Sequence, residues 1–200
     1  MAKRFDRFLC IFLGHNESVI MALARFISLA YGSNLHPFRL TQRVCSATPI
    51  GVVPMPGKRL AFHKRSDDGS GKCLFYEPRG TEDMMYGVAY EIDMAEKPIL
   101  DDLEGLNKGY NEQQVSFPLN GVTRHALVYV AASTHIDATL VPYTWYKDMV
   151  VLGARYHRLP ADYIAKIEAV VAVLDPNPKR AADRAAIVKN MRVINAAQGV

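Results

Sequence analysis

The feature that most constrains the fold is the dense spacing of glycine and proline between Cys45 and about Val130. The stretches between these residues are short, and several are rich in β-branched and aromatic residues, which is typical of strands separated by turns. Four stretches are predicted strands: Arg59–His63, Met85–Tyr90, Gln113–Phe117 and Ala126–Ala131. The middle of the chain is therefore expected to form a sheet of short strands.

The flanking regions have different patterns. Residues 24–31 predict a first strand, and residues 36–44 predict a short helix with Pro37 in its first turn. After Pro142 the apolar residues recur at helical spacing. Helices are predicted over residues 143–155, 162–174 and 179–194, the last as a loosely attached surface helix. This order predicts an α+β fold, with a small, mixed, barrel-like β-sheet and helices packed outside it.

The formal net charge of +4 lies at the ends of the chain. Residues 176–200 carry five basic and one acidic group, whereas residues 31–175 are slightly acidic overall. A nucleic-acid-binding core would carry the basic charge itself, so no nucleic-acid partner is expected. We predict an N-terminal extension outside the fold over residues 1–22, one domain over 23–175, and a basic helical tail over 176–200.

The composition favours the cytoplasm. The three cysteines lie far apart with no C-x-x-C spacing, which indicates neither a disulfide framework nor a thiolate metal site. The apolar run Phe8–Leu13 is too short for a signal peptide, and no run approaches the ~18 residues of a membrane span. We therefore expect a cytoplasmic protein without a membrane partner.

The familiar cofactor-binding and metal-binding motifs are incomplete in this sequence. Gly71-Lys72 resembles the end of a phosphate-binding loop, but Ser66 replaces the first glycine and Cys73 replaces the final Ser/Thr. The six histidines form no H-E-x-x-H pair. The sequence therefore predicts neither a metal site nor an organic cofactor.

The first candidate site is the turn formed by Tyr31, Gly32, Ser33, Asn34 and Leu35, between the first strand and the first helix. Successive backbone N–H groups in such a turn form a concavity that suits a carboxylate or an oxyanion. The same pattern is also typical of an ordinary strand-to-helix turn. The turn alone therefore leaves both interpretations open.

The second candidate is the acidic segment 100–105, of sequence LDDLEG. Three carboxylates within four residues are usually a solvated face or the first turn of a helix. A carboxylate in a partly apolar pocket can instead transfer protons near neutral pH. Glu104 is the best candidate for that role, because it lies between Leu103 and the turn-forming Gly105.

Together these motifs resemble the gamma-glutamylcyclotransferase family. The resemblance rests on the ordered segments YGSNL (31–35), LDDLEG (100–105) with Tyr110 six residues after Glu104, Tyr146-Lys147 before LGA (152–154), and LPxxY (159–163). Residues 62–66, 68–73 and 86–88 also resemble the central strands of that family. The match covers about residues 26–170, so the predicted domain is identified as gamma-glutamylcyclotransferase-like.

The resemblance implies a cofactor-independent enzyme of glutathione metabolism that converts a γ-glutamyl amino acid or amine to 5-oxoproline and releases the free amino acid or amine. Glu104 would be the general acid/base. The 31–35 loop would bind the glutamyl group, and Tyr110 and Tyr146 would line the pocket. The segment 143–163 favours γ-glutamyl amino acids over γ-glutamyl-lysine amides as substrates.

A noncatalytic small-ligand-binding module with the same fold is the alternative hypothesis. The tyrosines also fit a plainer interpretation, in which they pack the rim of a barrel. The sequence leaves monomer and homodimer equally open.

Overall fold

A computed structural model describes residues 24–78 and 82–200. The predicted extension over residues 1–22 lies outside the described residues. The strands are β1 (Arg25–Ala30), β2 (Thr48–Pro56), β3 (Arg59–Arg65), β4 (Gly71–Tyr76), β5 (Met84–Asp93), β6 (Tyr110–Leu119) and β7 (Val122–Ala131). The helices are α1 (Pro37–Thr41), α2 (Lys97–Glu104), α3 (Thr144–Tyr156), α4 (Ala161–Glu168) and α5 (Pro178–Ala197). Among these helices, none combines the length and the apolar character that crossing a bilayer requires.

The main sheet has five strands in the order β2-β5-β1-β7-β6, and β3 pairs with β4 in a separate hairpin. The pairing of β1 with β7 is parallel, and the other pairings are antiparallel. The two outer strands approach each other, since a Cβ on Gly51 of β2 would lie 2.6 Å from Cδ1 of Leu119 in β6. The predicted α+β class with a mixed, curled sheet is therefore confirmed.

The local pattern predicts no strand where the structure has β2, because proline is typical of turns and strand ends. Strand β2 lies at the edge of the sheet and pairs with β5 through a register shift between Pro49 and Gly51. A proline is tolerated at an edge because only one side of the strand has to form a hydrogen-bond ladder. The position in the sheet thus overrides the local turn signal.

The predicted helix over residues 162–174 was too long. Helix α4 ends at Glu168, and Lys147 Nζ donates to the carbonyl oxygens of Glu168 (2.9 Å) and Val170 (2.8 Å). The N–H of Val173 donates to the carbonyl oxygen of Pro142, its carbonyl oxygen accepts from the N–H of Thr144, and Leu174 is 81% exposed. Val170 still packs against the core, whereas Val171, Val173 and Leu174 are exposed and do not continue the buried face of α4.

The C-terminal helix α5 is packed onto the domain rather than loosely attached. Val188, Met191 and Asn195 of this helix are buried. The amide of Asn195 donates to the carbonyl oxygen of Leu152 (2.9 Å), and its Oδ1 lies 3.0 Å from Nε2 of the fully buried His36. These contacts join α5 to α3 and to the start of α1.

The environment of His36 favours its neutral form. Its Nδ1 accepts a hydrogen bond from the backbone N–H of Phe38 (3.1 Å), so Nε2 carries the ring proton and donates to Asn195. Burial is the main cause that lowers the pKa of His36 from 6.5 to about 4. A second proton on Nδ1 would also break the bond to Phe38.

We predict that the free energy of unfolding falls by about 2 kcal/mol between pH 7 and pH 5 because of His36. The unfolded chain binds a proton at this residue below pH 6.5, whereas the folded protein resists protonation down to about pH 4. Denaturant titrations of wild type and His36→Gln at both pH values measure the effect, which the variant should lack. His125→Gln, at an exposed histidine, should keep the wild-type dependence. Equal pH dependence in wild type and His36→Gln would contradict the assignment.

Candidate active site

One pocket lies where the C-terminal end of β1, the end of α2, the start of β6 and the start of α3 meet. Its walls are formed by Ser28, Leu29, Ala30, Tyr31, Gly32, Ser33, Asn34, Leu40, Cys73, Leu100, Glu104, Tyr110, Tyr129 and Tyr146. Seven of the eight residues predicted from the sequence are in this set. Predicted site residues that lie up to 115 positions apart in the chain, from Tyr31 to Tyr146, therefore share one cavity.

Leu35 is the predicted site residue that does not line the pocket. Its side chain is fully buried, and its carbonyl oxygen accepts hydrogen bonds from Tyr90 Oη (2.6 Å) and His157 Nε2 (2.8 Å). Its N–H donates to the carbonyl oxygen of Gly32 (3.0 Å). Leu35 therefore anchors the loop, and the N–H groups of Gly32, Ser33 and Asn34 are left as the candidates for contacting a ligand.

Helix α3 holds the same loop from behind. A Cβ on Gly153 would lie 2.6 Å from the Cβ of Leu35 and 2.8 Å from the backbone nitrogen of His36. Any side chain at position 153 would therefore push the loop and α3 apart. The LGA segment of α3 is thus required for close packing rather than for contact with a ligand.

Glu104 is the last residue of α2, and Gly105 ends the helix in the left-handed conformation with φ 71°. The carboxylate oxygen Oε1 accepts hydrogen bonds from Asn34 Nδ2 (2.6 Å) and from Arg43 Nη1 (3.1 Å). Arg43 also donates to Asn34 Oδ1 (3.3 Å), so the three side chains form a closed triangle. In the described part of the chain, both hydrogen bonds of the Glu104 carboxylate fall on Oε1.

Four tyrosines line the pocket with their hydroxyl groups tied to the frame. Tyr31 donates to the carbonyl oxygen of Tyr129 (2.6 Å), and Tyr129 donates to Asp101 Oδ1 (2.6 Å). Tyr110 donates to the carbonyl oxygen of Cys73 (2.9 Å), whose N–H donates to Tyr146 Oη (3.1 Å). These bonds fix the positions of the aromatic rings around Glu104.

Four tyrosines have pKa values above the usual one, and burial is the main cause in each: Tyr31, Tyr110, Tyr129 and Tyr146. Burial also raises the pKa of the Cys73 thiol to about 12. These groups therefore stay protonated at neutral pH. The pocket presents neutral hydroxyl groups and a thiol beside the carboxyl group of Glu104.

Sequence reasoning missed two important neighbours of Glu104. Arg43 had a usable signal, since Arg39 and Arg43 lie four residues apart on a predicted helix and so share one face. Tyr129 had none, because its place depends on the parallel pairing of β7 with β1. That pairing joins distant segments and is not encoded by a local pattern.

Comparison with known proteins agrees with this fold. A solved structure named gamma-glutamyl cyclotransferase aligns with a TM-score of 0.72 at 24% sequence identity, over 84% of this chain and 99% of that chain. An uncharacterized protein from Homo sapiens aligns with a TM-score of 0.70 at 25% identity, over 82% of this chain and 98% of that chain. YkqA from Bacillus subtilis aligns with a TM-score of 0.61 at 18% identity, over 74% of this chain and 56% of that chain.

The chain thus has a gamma-glutamylcyclotransferase-like fold, as the sequence motifs indicated. The model of the AIG2-like family matches residues 84–167, which include β5, α2, β6, β7 and α3. None of the curated protein sequences compared with the chain matches it significantly. The resemblance stated from the motifs is therefore confirmed at the level of the fold, and the AIG2-like model supports it over residues 84–167.

We predict that Gly153→Ala destabilises the protein by about 1–3 kcal/mol, although glycine-to-alanine changes inside helices ordinarily stabilise. The added Cβ would overlap Leu35 and the nitrogen of His36. Denaturant titration measures the change in the free energy of unfolding. Ala182→Gly, at an exposed position of α5, measures how much the difference in helix propensity between alanine and glycine contributes to stability when no steric overlap is involved. A stabilising effect of Gly153→Ala would contradict the close packing.

Proposed function

We propose that this protein is a gamma-glutamyl cyclotransferase, which converts a γ-glutamyl amino acid to 5-oxoproline and a free amino acid. The observation that carries the proposal is the Glu104 carboxyl group, which contacts Asn34 of the 32–34 loop and lines the same tyrosine-walled pocket as that loop. A carboxylate, a set of backbone N–H groups and a cavity for the glutamyl group are what this intramolecular reaction needs. No cofactor takes part in the proposed reaction.

The loop would hold the glutamyl group. Backbone N–H groups of residues 32–34 would donate to an oxygen of the substrate and stabilise the negative charge that develops on the γ-carbonyl oxygen. The aromatic walls would keep the flexible glutamyl chain folded, with its amine close to its own γ-carbonyl carbon. Such orientation removes several kcal/mol from the barrier of a ring closure.

Glu104 would carry the proton. The carboxylate takes a proton from the substrate's α-ammonium group, and the freed nitrogen attacks the γ-carbonyl carbon to form a tetrahedral intermediate. Glu104 then gives the proton to the leaving nitrogen, and the bond between that nitrogen and the γ-carbon breaks. The ring nitrogen passes its second proton to the released amine, so the products are 5-oxoproline and an amino acid with a charged ammonium group. No water is consumed, and the carboxylate is regenerated.

A noncatalytic binding module is the second candidate, and the contact between Arg43 and Glu104 favours it. The guanidinium lies 3.1 Å from Oε1, where it engages the carboxylate in an ion pair. The catalytic proposal relies instead on the other carboxylate oxygen, Oε2. Neither of the hydrogen bonds from Asn34 and Arg43 reaches Oε2, and this is the oxygen that would accept the proton. Turnover measurements separate the two candidates.

We predict that Glu104→Gln lowers the rate of 5-oxoproline release at least about 100-fold, because amide nitrogen and oxygen cannot carry the proton. Release from a panel of γ-glutamyl amino acids is measured for wild type and variant, together with the midpoint of thermal unfolding. Glu77→Gln is the matched control, since Glu77 has a largely exposed side chain paired to Lys58 and does not line the pocket around Glu104. The control should keep wild-type turnover.

Two results would contradict the catalytic assignment. Retained turnover in a folded Glu104→Gln variant would remove Glu104 from the reaction. Thermal stabilisation of the wild type by γ-glutamyl amino acids without any 5-oxoproline would favour the noncatalytic module.

A further inference from the structure

A second cavity, here called the outer basin, opens beside the pocket and shares Ser33, Glu104, Tyr110 and Tyr146 with it. The outer basin is therefore the space that a group leaving from the γ-carbon would occupy, if the glutamyl moiety fills the inner pocket. Six basic and four acidic side chains line the basin. Its chemistry is thus unlike that of the tyrosine-walled inner pocket.

Three ion pairs neutralise part of this charge. They are Arg43–Glu104 (3.1 Å), Lys72–Asp68 (2.6 Å) and Lys108–Asp102 (3.2 Å). One acidic side chain of the basin, Asp67, remains outside these pairs. The basic side chains of the basin that form no ion pair within residues 24–78 and 82–200 are Arg39, Lys64 and Arg184. The basin therefore carries a surplus of two positive charges.

The unpaired cations are held in place by the fold. Arg39 is only 8% exposed, and neither its Nε nor the buried Nε of Arg184 has a hydrogen-bond partner in the described part of the chain. The guanidinium of Arg184 lies 5.6 Å from the Trp145 ring centroid, and Lys64 Nζ lies 4.5 Å from that of Tyr110. These contacts orient the cations without neutralising them.

Burying such charges without a counter-charge is unfavourable. Burial, followed by the nearby charges of Arg43 and Arg184, lowers the pKa of Arg39 to about 9, and burial lowers the pKa of Lys64. Both shifts have the direction expected of cations removed from water. Three carboxylates oppose the shift of Lys64, namely those of Asp67, Glu104 and Asp68. An anionic ligand in the outer basin would supply the counter-charge that no ion pair among the described residues provides.

We propose that the outer basin is a subsite for a dicarboxylate leaving group, so that the preferred substrates are γ-glutamyl amino acids whose released residue has an acidic side chain. This inference rests on the proposed function. The released residue of such a substrate carries two carboxylates, one at its α-carbon and one on its side chain. Their two negative charges match the surplus of the basin, whereas a neutral residue supplies only one.

Helix α5 has a role in this subsite. This helix supplies Arg184 from a segment that is distant in sequence from the pocket, and the contacts of Asn195 with His36 and Leu152 fix the helix against the domain. Arg39 reaches the same basin from α1. The charge of the C-terminal helix is therefore part of substrate selection.

The test compares γ-glutamyl-glutamate with γ-glutamyl-glutamine, which has nearly the same shape but lacks the second negative charge. We expect kcat/KM for 5-oxoproline release to be at least about tenfold higher for the acidic substrate at low ionic strength, with the advantage shrinking as salt is added. Equal values for the two substrates, or a preference for the neutral one, would overturn the proposal.

Substitutions test which side chains cause the preference for the acidic substrate. Arg184→Gln should bring the ratio of the two kcat/KM values close to one, and Arg39→Gln should do the same if the variant folds. Arg184 is only partly buried, so its substitution keeps the test available if Arg39→Gln fails to fold. Lys189→Gln, at an exposed position of α5 outside the basin, removes the same charge and should keep the wild-type ratio. A wild-type ratio in a folded Arg184→Gln variant would contradict the assignment.

The two proposals fail in different ways. Turnover of all substrates without an acidic preference would refute the dicarboxylate subsite and leave the proposed function intact. If no substrate yields 5-oxoproline, the affinities of the same two dipeptides, measured by calorimetry, test whether the outer basin binds a dicarboxylate. Tighter binding of γ-glutamyl-glutamate, lost in Arg184→Gln, would support it, and equal binding would refute it.

Discussion

The rest of the site depends on the burial of Leu35 between the sheet and α3. Its carbonyl oxygen accepts hydrogen bonds from Tyr90 of β5 and His157 beyond α3, and its Cβ packs against the bare Cα of Gly153. The loop before it is thereby fixed to both layers of the fold. Because α1 begins two residues later, the same contact sets the position of Arg39 and Arg43 relative to Glu104.

The resulting site separates two kinds of surface. The inner pocket presents a protonated thiol and buried tyrosine hydroxyls, and the hydroxyls are hydrogen-bonded to backbone groups or to Asp101. The outer basin presents charged side chains, several of which have no ion-pair partner in the described chain. Glu104 lies on the boundary and contacts both cavities. This division fits a substrate with a flexible glutamyl part and a polar leaving part.

The sequence predicted the fold class and most strands because turns and alternating patterns are local. It failed where distant contacts decide the outcome. The prolines of β2 are accommodated only because that strand lies at a sheet edge. Helix α4 ends at Glu168 because the backbone that follows forms hydrogen bonds with Lys147 and with the residues around the start of α3. The site residues were predicted through ordered motifs, whereas Arg184 required the packing of α5 to be known.

The central claim is that the substrate's own amine, rather than water, attacks the γ-carbonyl carbon. Incubation of the protein with a γ-glutamyl amino acid in H₂¹⁸O, followed by mass spectrometry of the products, tests this claim most directly. The account predicts 5-oxoproline without ¹⁸O and the free amino acid in equal amounts. Glutamate carrying ¹⁸O in its γ-carboxyl group, or an unchanged substrate, would contradict it.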